Sequence, residues 1–162
     1  MTQQYHQQET PPAMVRMMQR LTPTMTPVHV WLYRVFRGRF VNQGYGGALP
    51  IMLLTTTGRR TGQSRSVAVG HMRDGSDVIV IGTNVGRAEV PSWVLNLRDN
   101  PMAEVQIGDE RFSVRAEQIE NEAYEKIWND LIASRPIYEE IGKYAGRKLP
   151  LIRLRRVNAS TQ

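Results

Sequence analysis

No cysteine occurs among the 162 residues. That absence removes disulfides, thiolate zinc sites, iron–sulfur clusters and a cysteine nucleophile, and it suits a reducing compartment. Histidine is nearly as scarce: His6, His29 and His71 are too few and too scattered for a metal site. Lysine occurs only at Lys126, Lys143 and Lys148, so arginine carries the basic charge. No stretch approaches the ~18–20 uninterrupted apolar residues that span a bilayer, and the N-terminus lacks the apolar core of a secretory signal. A cytoplasmic protein is expected. Internal repeats are also missing, and "GRRTGQS" lacks the spacing of a P-loop.

What is present is a basic chain of one-domain length. It carries 21 basic against 15 acidic residues, a formal charge of +6 and a pI of about 10.1. That balance invites an anionic partner: nucleic acid, a phosphorylated cofactor or a membrane surface. No groove-reading or base-stacking motif accompanies the charge, so nucleic acid is not expected.

Residues 1–13, glutamine-rich at the start, read as a disordered polar tail. Residues 14–49 read as amphipathic helices. Met14, Met17, Met18 and Leu21 fall at i, i+3, i+4, i+7; Val28, Trp31, Leu32, Val35 and Phe36 make a second stripe. With Arg34, Arg37 and Arg39 on its back, the second helix leaves room for a peripheral membrane contact beside the plainer role of covering the core.

From residue 50 to 158 the period changes to that of strands. "IMLLTTT", "RSVAVGHMR" and "DVIVIGT" are β-branched or alternating, and Gly75 marks a tight turn between the last two. "PSWVLNLRDNP" reads as a short helix. "AEVQIGDERFSVRAEQI" follows as a hairpin turning at Gly108-Asp109. "NEAYEKIWNDLIA" and "RPIYEEIGKYAG" are helical, and "LPLIRLRRV" is a last strand. About six short strands with no βαβ alternation predict an α+β, mainly β fold: a split antiparallel β-barrel with helices packed outside.

One turn concentrates charge. "TTTGRRTGQSR" places Arg59, Arg60 and Arg65 around Gly58 and Gly62 between two strands. Guanidinium forks match phosphate or carboxylate oxygens, and the glycines let backbone N–H groups approach the same anion. A solvated hairpin with arginines guarding a sheet edge is the plainer alternative. A second stretch, "GTNVGRAEVPSWVLNLRDNP", runs from a strand end into a helix N-terminus, another place that favours an anion.

Together these two stretches resemble the deazaflavin-dependent nitroreductase family, actinobacterial split-barrel oxidoreductases that use coenzyme F-420, an 8-hydroxy-5-deazaflavin with a polyglutamyl tail. Thr55, Thr56, Thr57, Gly58, Arg59, Thr61, Gly62, Arg65, Pro91, Trp93, Asn96, Leu97, Asn100 and Pro101 match the family's typical motifs. The resemblance implies a cofactor-binding set of Thr55, Arg59, Arg60, Thr61, Gly62, Gln63, Arg65, Val67, Gly82, Thr83, Asn84, Arg87, Ala88, Pro91 and Trp93. The phosphate would lie against the arginine turn and the ring against loop 82–91. Ser64 replaces the family's usual proline, Asn84 stands where a basic residue is common, and of three tyrosines around the pocket of the nitroimidazole-reducing member only Tyr138 matches. Arg135 and Ile141 occupy the other two places.

The implied activity is hydride transfer from the reduced coenzyme to a flat, electron-poor small molecule such as a quinone, enone or nitroarene. Such a cofactor carries the hard step, which agrees with a chain lacking a triad or metal cluster. Tyr138 is the candidate to orient the acceptor or supply its proton, with water as the other source. An FMN-binding split-barrel protein and a non-catalytic lipid or fatty-acid carrier are the alternatives, and both monomer and homodimer stay open.

Overall fold

A computed structural model describes residues 48–157 in full and, before them, Pro12, Ala13, 15–17, 19, 20, Val30 and Tyr33. The predicted tail and most of both N-terminal stripes lie outside the described residues.

Six antiparallel strands close into a barrel: β1 (Ile51–Thr57), β2 (Ser64–Asp74), β3 (Asp77–Ile81), β4 (Met102–Ile107), β5 (Glu110–Ile119) and β6 (Leu151–Arg156). Their order around the barrel is β1-β2-β3-β6-β5-β4, with β1 pairing β4 from Leu53↔Gln106 to Thr56↔Ala103 to complete the circle. Helix α1 (Ser92–Asp99) separates β3 from β4. Helices α2 (Asn121–Ser134) and α3 (Ile137–Ala145) separate β5 from β6.

The pattern of "DVIVI" follows from where its two faces go. Val78 and Val80 join Met52, Leu54, Val105, Val114, Ile152 and Leu154 inside the barrel, where Trp93, Val94 and Leu97 of α1 also pack. Ile79 and Ile81 point outward beneath α2 and α3, against Tyr124, Trp128, Leu131 and Tyr138. A strand buried on both sides has no polar alternate positions, so it reads as a continuous apolar run. The tight turns take left-handed glycines as expected, at Gly75 (φ 61°) and Gly108 (φ 60°).

Two N-terminal readings meet the structure differently. Met17, one member of the first predicted stripe, is exposed. In the second helix, the stripe Val28, Trp31, Leu32, Val35, Phe36 lies outside the described residues, and the residues seen buried are Val30 and Tyr33, packed on Leu53. They seat on an apolar outer patch of the barrel, Ile51, Leu53 and Ala68, and Tyr33 adds a polar tip. Its hydroxyl donates to the Ile51 carbonyl (3.2 Å) and accepts from Gly108 N–H (3.2 Å). No described helix is long and apolar enough to cross a membrane.

Candidate active site

The arginine turn is a closed loop. Gly58 N–H donates to the Gln63 carbonyl at 2.8 Å, and the N–H groups of Thr61 and Gly62 donate back to the Gly58 carbonyl at 3.2 and 2.7 Å. Gly62 supplies the left-handed φ of 65° that this path requires. Asn96 fixes the loop to helix α1: its Oδ1 accepts from Arg59 N–H (3.1 Å) while its Nδ2 donates to Thr56 Oγ1 (3.0 Å). The arginine side chains are left facing solvent. Arg65 Nη2 donates to Gln63 Oε1 (3.1 Å), and no described ion pair involves Arg59, Arg60 or Arg65, whereas Arg153, Arg155 and Arg156 on the barrel wall all hold carboxylates.

These arginines line a cleft of about 840 Å³ that holds no Asp or Glu among the described residues. Its floor is apolar, with Ile51, Val67, Val69 and Trp93, and its far wall is Thr83, Asn84, Val85 and Arg87. Pro91 is the N-cap of α1, with no side-chain cap and no acidic residue in the first turn. Ser92 also lines the cleft, so the positive end of a helix adds to the field of the arginines.

Tyr138 closes the inner end. Its hydroxyl oxygen accepts from Leu49 N–H at 3.1 Å, leaving the phenolic proton free to donate. Gly70 opposite leaves the room for it: a Cβ there would come 3.3 Å from both Tyr138 OH and Leu49 Cβ. Burial pushes the phenol above its ordinary value, offset in part by the Leu49 N–H and the Arg135 charge.

The wall loop is strained. Asn84 (φ 48°), Val85 (φ 55°) and Gly86 (φ 73°) are consecutive left-handed residues, and for a β-branched valine this conformation costs about 1–3 kcal/mol. Gly86 fits because its Cα passes Tyr144, whose Cβ would lie 3.1 Å from an added Cβ.

Of the residues expected at the site, Arg59, Arg60, Thr61, Arg65, Val67, Thr83, Asn84, Arg87, Pro91, Trp93 and Tyr138 do line this one cleft. Thr55, Gly62, Gln63, Gly82 and Ala88 do not. Thr55 shares a hydrogen bond with Ser66 (2.8 Å), and it is Ser66 that faces the cleft. Gly82 packs instead against Pro150 and Val94, where a Cβ would come within 2.6 Å of Pro150 Cγ. Asn96 and Gly70 were not expected. Asn96 had a readable signal, since with Trp93 and Leu97 it forms the buried stripe of α1, and a buried amide there must find partners.

A profile of the F420H(2)-dependent quinone reductase family matches residues 25–155. The chain belongs to this family. An F420H(2)-dependent quinone reductase of Mycobacterium tuberculosis is 31% identical over 134 residues, covering 80% of this chain and 88% of the relative. A solved F420-H2 dependent reductase is similar at 29% identity and a TM-score of 0.58, covering 65% of this chain and 93% of its own. A further relative, solved as a domain-swapped dimer, has 26% identity and a TM-score of 0.60 over 82% of this chain and 98% of its own. Both motifs that carried the resemblance lie inside the span of the F420H(2)-dependent quinone reductase profile, and in the fold they face each other across the cleft.

Proposed function

We propose that the protein is a coenzyme F-420-dependent oxidoreductase whose acceptor is a quinone-like, electron-poor molecule. The observation that carries this is the cleft itself: arginines without described carboxylate partners at one side, an uncapped helix start beside them, and an apolar floor ending at a buried tyrosine. The donor set fits the coenzyme, since it offers cations to a phosphodiester and glutamyl carboxylates and a flat apolar slot to a ring. When bound in reduced form, the coenzyme supplies the hydride equivalent. Family membership favours this reading over the FMN and lipid-carrier alternatives.

The chain's own residues then have separable tasks. Arg59, Arg60 and Arg65 bind the anionic handle, with Arg87 adding charge from the opposite wall. Val67, Trp93 and Val85 define the slot and keep water from it. Tyr138 holds a proton at a fixed hydroxyl, and its raised pKa keeps that proton in place at neutral pH; it orients the acceptor and protonates the reduced oxygen. The test is to mix the purified protein with reduced coenzyme and panels of quinones, enones and nitroarenes, following the coenzyme's visible absorbance. Quinone-dependent oxidation supports the reading. Failure to bind the coenzyme, oxidised or reduced, at modest ionic strength overturns it.

A further inference from the structure

The wall loop carries two left-handed non-glycine residues, and its own backbone holds them by only two short-range bonds, Gly86 N–H to Thr83 O (3.0 Å) and Arg87 N–H to Asn84 O (3.1 Å). Something outside the loop has to favour that shape. One side chain reaches carbonyls at both ends of it. Arg147 Nη2 donates to the carbonyls of Gly82 (3.1 Å), Thr83 (3.4 Å) and Glu89 (3.2 Å), and Nη1 to Lys148 O (3.4 Å). Glu89 O is also held by Asn84 Nδ2 (2.9 Å), and Val85 O by Gln19 Nε2 (2.9 Å).

We infer that Arg147 is a positioning residue that holds residues 82–89 in the left-handed turn and so sets the coenzyme-facing wall of the cleft. Arg147 follows Gly146, the left-handed C-cap of α3. Its guanidinium is placed behind the loop and outside the cleft lining, so it acts through the backbone of Thr83, Asn84, Val85 and Arg87. A guanidinium suits this task because its Nη2 hydrogens are shared among carbonyls from both ends of the loop while Nη1, on the same rigid plane, is held by Lys148 O. Its Nε is buried without a partner among the described residues, and burial draws the group below its ordinary pKa. A half-buried cation bonded only to carbonyls is costly to keep unless the geometry it imposes matters.

The consequence for binding rests on the coenzyme reading, whereas the consequence for the loop does not. The experiment compares wild type, Arg147→Ala and Arg147→Lys by hydrogen exchange with mass spectrometry and by coenzyme titration. In Arg147→Ala, exchange of the peptide spanning 83–90 rises about tenfold or more while β2 and β5 keep their protection. Coenzyme Kd rises about tenfold, with a smaller change in kcat. Arg147→Lys, which keeps charge and stem but not the fork, lies between the two and serves if the alanine variant does not fold. Unchanged exchange at 83–90 overturns the inference, and so does acceleration spread equally over the whole barrel, which marks Arg147 as a general stabiliser. If wild type binds no coenzyme, the functional reading fails and the exchange data still decide the role of Arg147.

Discussion

Asn96→Leu tests whether the arginine turn is held in place by helix α1. The leucine keeps much of the volume and adds apolar surface on the stripe formed by Trp93 and Leu97. It abolishes both amide hydrogen bonds, to Arg59 N–H and to Thr56 Oγ1. The two losses differ in size. Thr56 is 2% exposed, so its stranded hydroxyl costs about 1–3 kcal/mol. The Arg59 N–H lies nearer solvent, and water partly replaces its partner, which puts that loss at roughly 0.5–1.5 kcal/mol. The sum, about 1.5–4.5 kcal/mol, lowers the melting temperature of a domain of this size by roughly 3–18 °C. Coenzyme affinity falls further than the melt alone explains, because a freed turn must be ordered on binding. Asn96→Asp separates the two effects. A carboxylate still accepts from Arg59 N–H, and the Thr56 hydroxyl can rotate to donate to it, so the turn keeps its shape, while the new negative charge opposes an anionic ligand. Urea unfolding and coenzyme titration on both variants provide the assay. An Asn96→Leu protein that loses under 1 kcal/mol and binds coenzyme like wild type would show that the turn stands without this anchor.

Three further outcomes are expected. Replacing Arg59 and Arg60 together by alanine weakens coenzyme binding at least tenfold and flattens its salt dependence, with a melting temperature within a few degrees of wild type because exposed turn residues contribute little stability; equal loss of binding and stability refutes the assigned role. Tyr138→Phe lowers kcat with the quinone by about tenfold or more at unchanged coenzyme Kd, and in wild type the tyrosine-dependent rate persists up to pH 10, since burial raises this phenol above the ordinary 10.0; a kcat equal to wild type assigns the proton to water. Buried His71, whose folded pKa is lowered from 6.5 chiefly by desolvation, contributes stability that is present above pH 6.5 and lost as pH falls below it through the folded value. Urea titrations from pH 7 to 5 therefore show a decline in wild type that His71→Gln reduces, and parallel declines in both proteins would contradict the assignment.

How far the sequence could be read depended on whether a residue's neighbours left a trace in its own type. Strand β1 was expected from "IMLLTTT" and runs Ile51–Thr57, because β-branched residues and a following glycine turn both report on local conformation. The same holds for Gly146, the last residue of the helical stretch "RPIYEEIGKYAG", which is the left-handed cap of α3. The seating of Val30 and Tyr33 left no trace in their own types, because it depends on Ile51, Leu53 and Ala68 on β1 and β2. Val85 in a left-handed conformation has no compositional signature, since a β-branched residue is poorly suited to that region, although Asn84 beside it is of a type often found there. Arg147 looked like any other arginine in an arginine-rich chain; only its carbonyl partners, 58 to 65 positions away, distinguish it.

The placement of the site follows from strand direction more than from any single residue. β1, β2 and β3 form an antiparallel meander, paired Thr57↔Ser64 at one turn and Asp74↔Asp77 at the next. β3 is short and pairs only the later part of β2, Val80 opposite His71, so it leaves the sheet level with Gly70 and Ile51, and the arginine turn stands at the other end of the β2 stretch 65–70 that lines the cleft. β6 pairs antiparallel to β3 with Leu151 opposite Ile81, which brings the incoming segment, Arg147 included, to the exit of β3 and the wall loop. Helix α1 brings Ser92, Trp93 and Asn96 to the cleft, and Asn96 ties it to the arginine turn. The anion-binding turn and the clamped wall loop thus bound the cleft from two ends of the same β2 stretch, with α1 tied to the turn by Asn96, and the side chains then decide what the cleft can hold. A change that altered the turn's charge would tune the ligand while leaving the architecture standing. Substituting Gly82, whose Cα has no room for a Cβ beside Pro150, would instead disturb the junction where β3, β6 and the wall loop meet.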